Sequence, residues 1–156
     1  MIDYGLADRN GRRITLRDVN SDNWRDVADV APHDDQRQFV PALAARYLLL
    51  STLEPGWNSL AIYADENVVG HAMWAMDDDG AHWIGGALID ATHQRAGIGR
   101  AAMQTLIRWL ADQPDCYVIR LSYHPDNTTA ARFYESLGFS PTGDREGEEI
   151  VAGRRP

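Results

Sequence analysis

Two stretches of the chain carry residue types whose spacing suits chemistry. The first runs Leu88-Ile89-Asp90-Ala91-Thr92-His93-Gln94-Arg95-Ala96-Gly97-Ile98-Gly99-Arg100, an apolar run followed by a glycine-bearing turn and then by helical periodicity. The first turn of a helix has N–H groups with no intrahelical partner, and the macrodipole adds partial positive charge there. Glycines at 97 and 99 remove the Cβ atoms that would hold an anion away from those amides, and Arg95 and Arg100 flank the turn with formal charge. Such a turn suits a pyrophosphate. It is neither a Walker loop (no Gly-Lys-Ser/Thr) nor a full GxGxxG, which disfavours ATP and dinucleotides. The competing reading is a tight turn whose glycines only satisfy backbone geometry.

The second stretch is Asn127-Thr128-Thr129-Ala130-Ala131-Arg132-Phe133-Tyr134-Glu135-Ser136-Leu137-Gly138-Phe139. Asn127 and Tyr134 are seven residues apart, about two helical turns, so they share a face with Ala130 and Ala131 between them. Small side chains there let a ligand lie close to the backbone, and a tyrosine hydroxyl so held can donate one proton. Phe133 and Leu137 form the adjacent, core-directed stripe. Against this stands a plainer option, in which Tyr134 packs at the helix edge and Asn127 only caps the helix.

The elements that must position these residues follow from periodicity. Ile14, Leu16 and Val19 alternate with polar residues as in a half-buried strand, and Ser21 or Asp22 caps a short helix through Trp24, Val27, Ala28 and Val30. A second helix is expected over 42–53. Three apolar runs over 59–64, 68–76 and 81–90 are separated by Asp65-Glu66-Asn67 and Asp77-Asp78-Asp79-Gly80, which is turn chemistry, so they read as an antiparallel meander. Ile98, Ala102, Leu106, Trp109 and Leu110 give a helix over 97–113 one apolar face. A strand over 117–121, a helix over 126–137 closed by Gly138, a solvated loop over 144–149 and a last strand at Glu149-Ile150-Val151 complete the pattern. The expected architecture is an α/β (α+β) fold with a mixed sheet, occupying residues 1–156 as one domain.

Composition narrows the partners. The net charge of −8 repels phosphate backbones and anionic lipid, which argues against nucleic acid and membrane surfaces, and attracts cations. Cys116 is the sole cysteine and forms no internal disulfide, which suits a reducing cytoplasm. The most apolar stretch, Leu43 to Leu53, is interrupted by Arg46 and is far shorter than the ~20 residues of a membrane helix. Asp3 and Asp8 stand where a signal peptide would be apolar.

Taken together and in this order, the two segments resemble the GNAT superfamily of acyl-CoA-dependent N-acyltransferases. The match is Gln94-Arg95-Ala96-Gly97-Ile98-Gly99, followed about one strand later by Asn127-x-x-Ala130-x-x-x-Tyr134-x-x-x-Gly138-Phe139. A shorter likeness to the bacterial diamine and polyamine N-acetyltransferases lies in Ile14-Thr15-Leu16-Arg17, Asn23-Trp24, Gln38-Phe39-Val40 and Thr142-Gly143 with Glu149-Ile150-Val151. The resemblance implies a mostly antiparallel sheet flanked by helices, acetyl-CoA as co-substrate, no metal, and a small cationic amine as acceptor, with a homodimer as a further expectation.

Residue by residue, it implies that Gln94 to Arg100 hold the CoA pyrophosphate and that the pantetheine arm pairs along Leu88 and Ile89. Asn127 would contact the cofactor, Tyr134 would protonate the departing thiolate, and the Ile89 N–H would polarise the acyl carbonyl. Many relatives place a Glu on the strand before the turn. Here that strand reads His82-Trp83-Ile84-Gly85-Gly86-Ala87-Leu88-Ile89-Asp90, so a direct carboxylate base is missing there. His71 and His82 titrate in a useful range, though ordinary strand histidines are the plainer account. Asp34, Asp35, Glu54 and Asp77 to Asp79 are acidic residues near the expected acceptor side that would attract a cationic amine, though a solvated hairpin turn is the plainer account of the last three. Trp24 and Trp109 are expected in the core, and Trp57, Trp74 and Trp83 are candidates for an aromatic acceptor wall. After Phe39-Val40 the chain continues Pro41-Ala42, where polyamine-type relatives have an Asn and a Ser, which leaves open a protein N-terminus, a lysine or an aminoglycoside as acceptor. A non-catalytic acyl-CoA sensor and an interaction domain with a chance glycine turn remain the rival classes.

Overall fold

Alternating apolar residues build the sheet, and all residues 1–156 are described in the computed structural model. The chain forms β1 (Ile14–Asp18), α1 (Trp24–Ala28), α2 (Ala45–Leu53), β2 (Asn58–Ala64), β3 (Asn67–Met76), β4 (His82–Ile89), α3 (Ile98–Ala111), β5 (Ile119–Tyr123), α4 (Thr128–Ser136), β6 (Ser140–Glu146) and β7 (Glu149–Arg154). Short 3-10 turns at Asp34–Gln36 and Ala91–His93 precede α2 and α3. The strands make one seven-stranded sheet in the order β1-β2-β3-β4-β5-β7-β6. Every neighbouring pair is antiparallel except β4 and β5, whose parallel pairing needs the crossover that α3 supplies.

Side-chain parity assigns the two faces. Leu60, Ile62 and Ala64 of β2 pack with Leu106 and Leu110 of α3, whereas Ala61 and Tyr63 meet Val27 of α1 and Leu48 of α2 on the opposite face. Two irregularities matter for the site. Only His82–Ile119 and Trp83–Arg120 pair β4 with β5 before the strands part, leaving a gap between them. On its other edge, β4 slips register against β3 between Leu88–His71 and Gly85–Met73, a bulge at Gly86. Gly86 sits at φ 56, and a Cβ there would lie 3.1 Å from atoms of His71, Met73 and Tyr47, so both backbone and space demand glycine.

Several expectations change. The first helix starts after Asn23, whose side chain accepts the Asn20 N–H at 2.8 Å and donates to the Asp18 carbonyl at 3.0 Å; neither Ser21 nor Asp22 caps it. Trp24 is not core: the short α1 buries only Val27, and Trp24 is 44% exposed with the Arg25 guanidinium 4.5 Å over its ring. β5 begins at Ile119 instead of Tyr117, which is exposed. Residues 144–146 belong to a strand, not a loop; every residue of β6 is exposed, so no apolar alternation marks it and main-chain pairing with β7 alone defines it. Gly138 does close the last helix, at φ 89, with the Phe139 N–H returning to the Tyr134 carbonyl at 3.1 Å. No helix is long and apolar enough to cross a membrane.

Candidate active site

The turn between β4 and α3 is built from left-handed residues. Arg95 (φ 66) and Gly97 (φ 81) bracket Ala96, and Gly97 serves as the N-cap of α3. None of the main-chain N–H groups from Gln94 to Arg100 donates to a protein acceptor; the first helical bond runs from the Ala101 N–H to the Gly97 carbonyl. A row of free amides at a helix start is a concave anion seat. The amino-terminal loop braces it from behind: the Arg9 N–H donates to the Ala96 carbonyl at 2.8 Å, and the Arg9 side chain lies against Gly97. Asp8, buried and bonded to Arg12 at 2.7 Å, fixes that loop. This bracing was invisible in the sequence, because nothing in the spacing ties residue 9 to residue 96.

The side chains of the turn are partly committed elsewhere. The Gln94 amide donates to Gln36 Oε1 at 2.8 Å and to the Ile89 carbonyl at 2.9 Å, stapling the end of β4 to the first 3-10 turn. Arg100 donates to Ser136 Oγ at 2.6 Å and lies over the Phe133 ring, tying α3 to α4. Asp90 caps the second 3-10 turn. Burial opposes its ionisation, yet hydrogen bonds from Thr92 and Ala31 hold its pKa below the usual carboxylate value. The Asp90 N–H donates to the Val69 carbonyl at 2.9 Å, so the alternation of the strand turns the Ile89 N–H away from β3 and into the gap. Leu88 pairs with His71 and buries its side chain against Val30 and Ala44.

Where β4 and β5 part, a cavity of about 510 Å³ opens on the α2 face of the sheet. Met73, Ala75, Trp83 and Gly85 to Ala87 line one side, Ser122 and Tyr123 of β5 another, and Asn127, Ala130 and Tyr134 of α4 a third. Tyr47 and Trp57 close it, with Asp77, Glu146 and Glu149 among its polar groups. Leu88, Ile89 and the glycine turn lie beyond this cavity, along the same strand. Asn127 accepts the Ala130 N–H at 3.1 Å, so it does cap α4, and its side-chain NH₂ has no protein partner. The Tyr134 hydroxyl has no hydrogen-bond partner in the protein; its ring packs on Tyr123, Phe133 and Phe139. Burial, with Tyr47 and Glu149 nearby, pushes its pKa up to about 12.

Parity separates the tryptophans. Trp57 and Trp83 border the cavity, whereas Trp74 sits one residue out of phase, on the α3 face, edge-on to Trp109 with centroids 5.0 Å apart. Trp74 is therefore not part of an acceptor wall. No Arg borders the cavity and the chain contains no Lys; the one basic side chain in its wall is His124, whose Nδ1 accepts the Asp126 N–H at 3.1 Å. Glu146 and Glu149 were not read as site residues: β6 carries no apolar signal, and Glu149 opens β7 as a charged residue ahead of its buried Val151 and Ala152.

Neither strand histidine borders the cavity. His71 is wholly buried, with Nδ1 2.7 Å from the Gly86 carbonyl and Nε2 2.9 Å from Ser59 Oγ. A carbonyl only accepts, so Nδ1 carries the proton and, in the neutral ring, Ser59 donates to Nε2. His82 is buried and stacks on Trp74. Burial pushes His71 from 6.5 down to about 4, against the pull of its bond to Gly86. Between those values the unfolded chain binds the extra proton, so stability is full above about pH 6.5 and falls by about 3 kcal/mol as pH drops to about 4. Denaturant unfolding at pH 7.5 and pH 4.5 should show this loss in the wild type and not in His71→Asn; equal pH dependence in both would refute it.

A fold with a parted pair of central strands, a free-amide turn and a tyrosine helix suits an acyltransferase. The Acetyltransferase (GNAT) family model matches residues 14–139, and the chain belongs to that family. It is similar to the spermine/spermidine N(1)-acetyltransferase of Bacillus subtilis (strain 168), at 28% identity over 148 residues covering 88% of this chain and 96% of that one. Among solved structures, an aminoglycoside acetyltransferase in complex with coenzyme A has a TM-score of 0.75 at 18% identity, covering 91% of this chain and 94% of that one. The GNAT domain of the S. lividans protein PAT gives 0.74 at 13% identity, covering 97% and 95%. These last two are likenesses of fold.

Proposed function

We propose that this acyltransferase moves the acetyl group of acetyl-CoA to a small cationic primary amine, a polyamine for preference, by direct attack of the amine on the thioester. The observation that carries the reading is the arrangement along β4: a row of free amides at one end, an unpaired inner edge, and a cavity holding the free Tyr134 hydroxyl at the other. The free N–H groups from Gln94 to Arg100 suit the pyrophosphate, with Arg95 adding charge. The Ile89 N–H faces the gap, where it would pair with the pantetheine arm and polarise the acyl carbonyl, while Leu88 backs it from the core. The free amide NH₂ of Asn127 would contact the same arm.

The amine nitrogen sheds two protons overall. Its pKa as an alkyl ammonium is near ~10.4, so the first passes to water before attack. As the new C–N bond forms and the C–S bond breaks, Tyr134 gives its proton to the thiolate and regains one from the nitrogen. A hydroxyl whose pKa stands at about 12 remains protonated through the physiological range, as a donor must. The acceptor class is supported by the name of the Bacillus relative, the net charge of −8 and the absence of Arg and Lys from the cavity. The sole, unpaired cysteine fits a cytoplasmic setting.

Thiol release from acetyl-CoA with spermidine, a lysine-containing peptide and an aminoglycoside tests this. Highest kcat/KM with spermidine is expected. Preference for the peptide or aminoglycoside would move the acceptor, and acetyl-CoA binding without release on any amine would leave a sensor instead of an enzyme.

A further inference from the structure

The cavity holds a carboxylate that the reading above does not use. Glu149 opens β7 beside the β6–β7 turn, and its half-buried side chain shares the cavity wall with Tyr134 and Tyr47. Ser122 of β5 donates its hydroxyl to Glu149 Oε2 at 2.5 Å, which fixes the orientation of the carboxylate. Oε1 receives no hydrogen bond, and no basic side chain pairs with Glu149. The two phenols beside it cannot neutralise it: its charge helps, after burial, to hold Tyr47 and Tyr134 protonated, both at about 12. A partly desolvated carboxylate with one oxygen anchored and the other bare is electrostatically uncompensated. The ligand that compensates it is a cation with N–H donors, and the π faces of Trp57, Trp83 and Tyr47 are compatible walls for its methylenes and charge.

We infer that Glu149, oriented by Ser122, is the specificity-determining residue that docks the ammonium group of the acceptor beside Tyr134. The assignment rests on the acetyl-transfer reading and deepens it, because it names the contact that selects a cationic acceptor. It also gives a role to Ser122, which is half-buried between the core residues Leu121 and Tyr123 of the same strand.

Glu149→Gln keeps the shape and the Ser122 contact while removing the charge. The expected result is a rise in KM for spermidine of about 10- to 100-fold, the range of a charge-assisted hydrogen bond, with the KM for acetyl-CoA unchanged. Glu148→Gln removes the same charge from the exposed turn outside the cavity and should leave both constants alone. An unchanged spermidine KM in Glu149→Gln, or an equal rise in Glu148→Gln, overturns the assignment. Ser122→Ala should raise the spermidine KM several-fold by releasing the carboxylate, again without touching acetyl-CoA. Calorimetry of spermidine with wild type and Glu149→Gln reads the same contact without turnover. Weaker binding in the variant sustains the assignment, and equal or absent binding overturns it. Failure of the wild type to release thiol with any amine instead sinks the acetyl-transfer reading alone.

Discussion

Tyr134→Phe should lower kcat by about 10²- to 10⁴-fold, the usual contribution of a positioned proton donor, while acetyl-CoA affinity stays within a factor of about two. The variant removes one oxygen and nothing else. The Tyr134 hydroxyl has no protein hydrogen bond to lose, and its ring contacts with Tyr123, Phe133 and Phe139 are those a phenylalanine can make. A fall in thermal stability is therefore not expected, and a fall in kcat reads directly on proton transfer. The pH profile adds a second check. With the phenol at about 12, the wild type should show no descending alkaline limb from Tyr134 below pH ~10, only the rise that tracks deprotonation of the amine. An unchanged kcat would remove the residue from the acid role, whereas a limb near pH 9 that vanishes in Tyr134→Phe would keep it there and overturn only its high pKa.

The second large effect concerns Gly99. Unlike Gly97, it needs no left-handed backbone, and a Cβ there would meet only Ile89 Cγ1 at an ordinary 3.6 Å. The protein itself thus has no use for a glycine at that helical position, where leucine is favoured by about 0.8 kcal/mol. What a side chain would obstruct is the space in front of the free amides. Gly99→Leu is expected to keep or raise the melting temperature while weakening acetyl-CoA binding on the order of 100-fold, equivalent to about 2.7 kcal/mol. Calorimetry and thermal unfolding on the same preparation decide it. Retained affinity would mean that the pyrophosphate sits elsewhere, and a joint loss of stability and affinity would mean that the chain is simply misfolded.

Gly99 also shows what a sequence can reveal. Glycine spacing pointed to the turn, but only the built backbone separates a glycine required by φ, at 97, from one that leaves room for something outside the protein, at 99. The meander, α3 and α4 were legible because Leu60, Ile62, Leu106 and Leu110 repeat with the period of the face they bury. β6 was not, since all its side chains are exposed and its identity lies in main-chain pairing with β7. Glu146 and Glu149 read as a solvated loop and the start of an edge strand, charged residues at a hairpin end giving no sign of a site until the sheet brings them to the cavity. Trp74 and Trp83 illustrate a finer limit: a strand puts neighbours of opposite parity on opposite faces, and the sequence marks both as aromatic without saying which face holds the opening. Arg9, far from the turn in sequence, is placed beneath it by tertiary structure alone.

The neck between β4 and β5 bears on the mechanics of the whole molecule. Two residue pairs are all the sheet pairing that links the β1–β4 half to the β5–β7 half, and past them each half presents a row of unsatisfied main-chain groups toward the other. α3 adds to the cohesion across this seam, because it packs on strands of both halves. A thioester arm lying in the seam would act as a missing eighth strand. Occupancy and stiffness then become one variable, with the halves free to flex when the seam is vacant and clasped while the substrate is held.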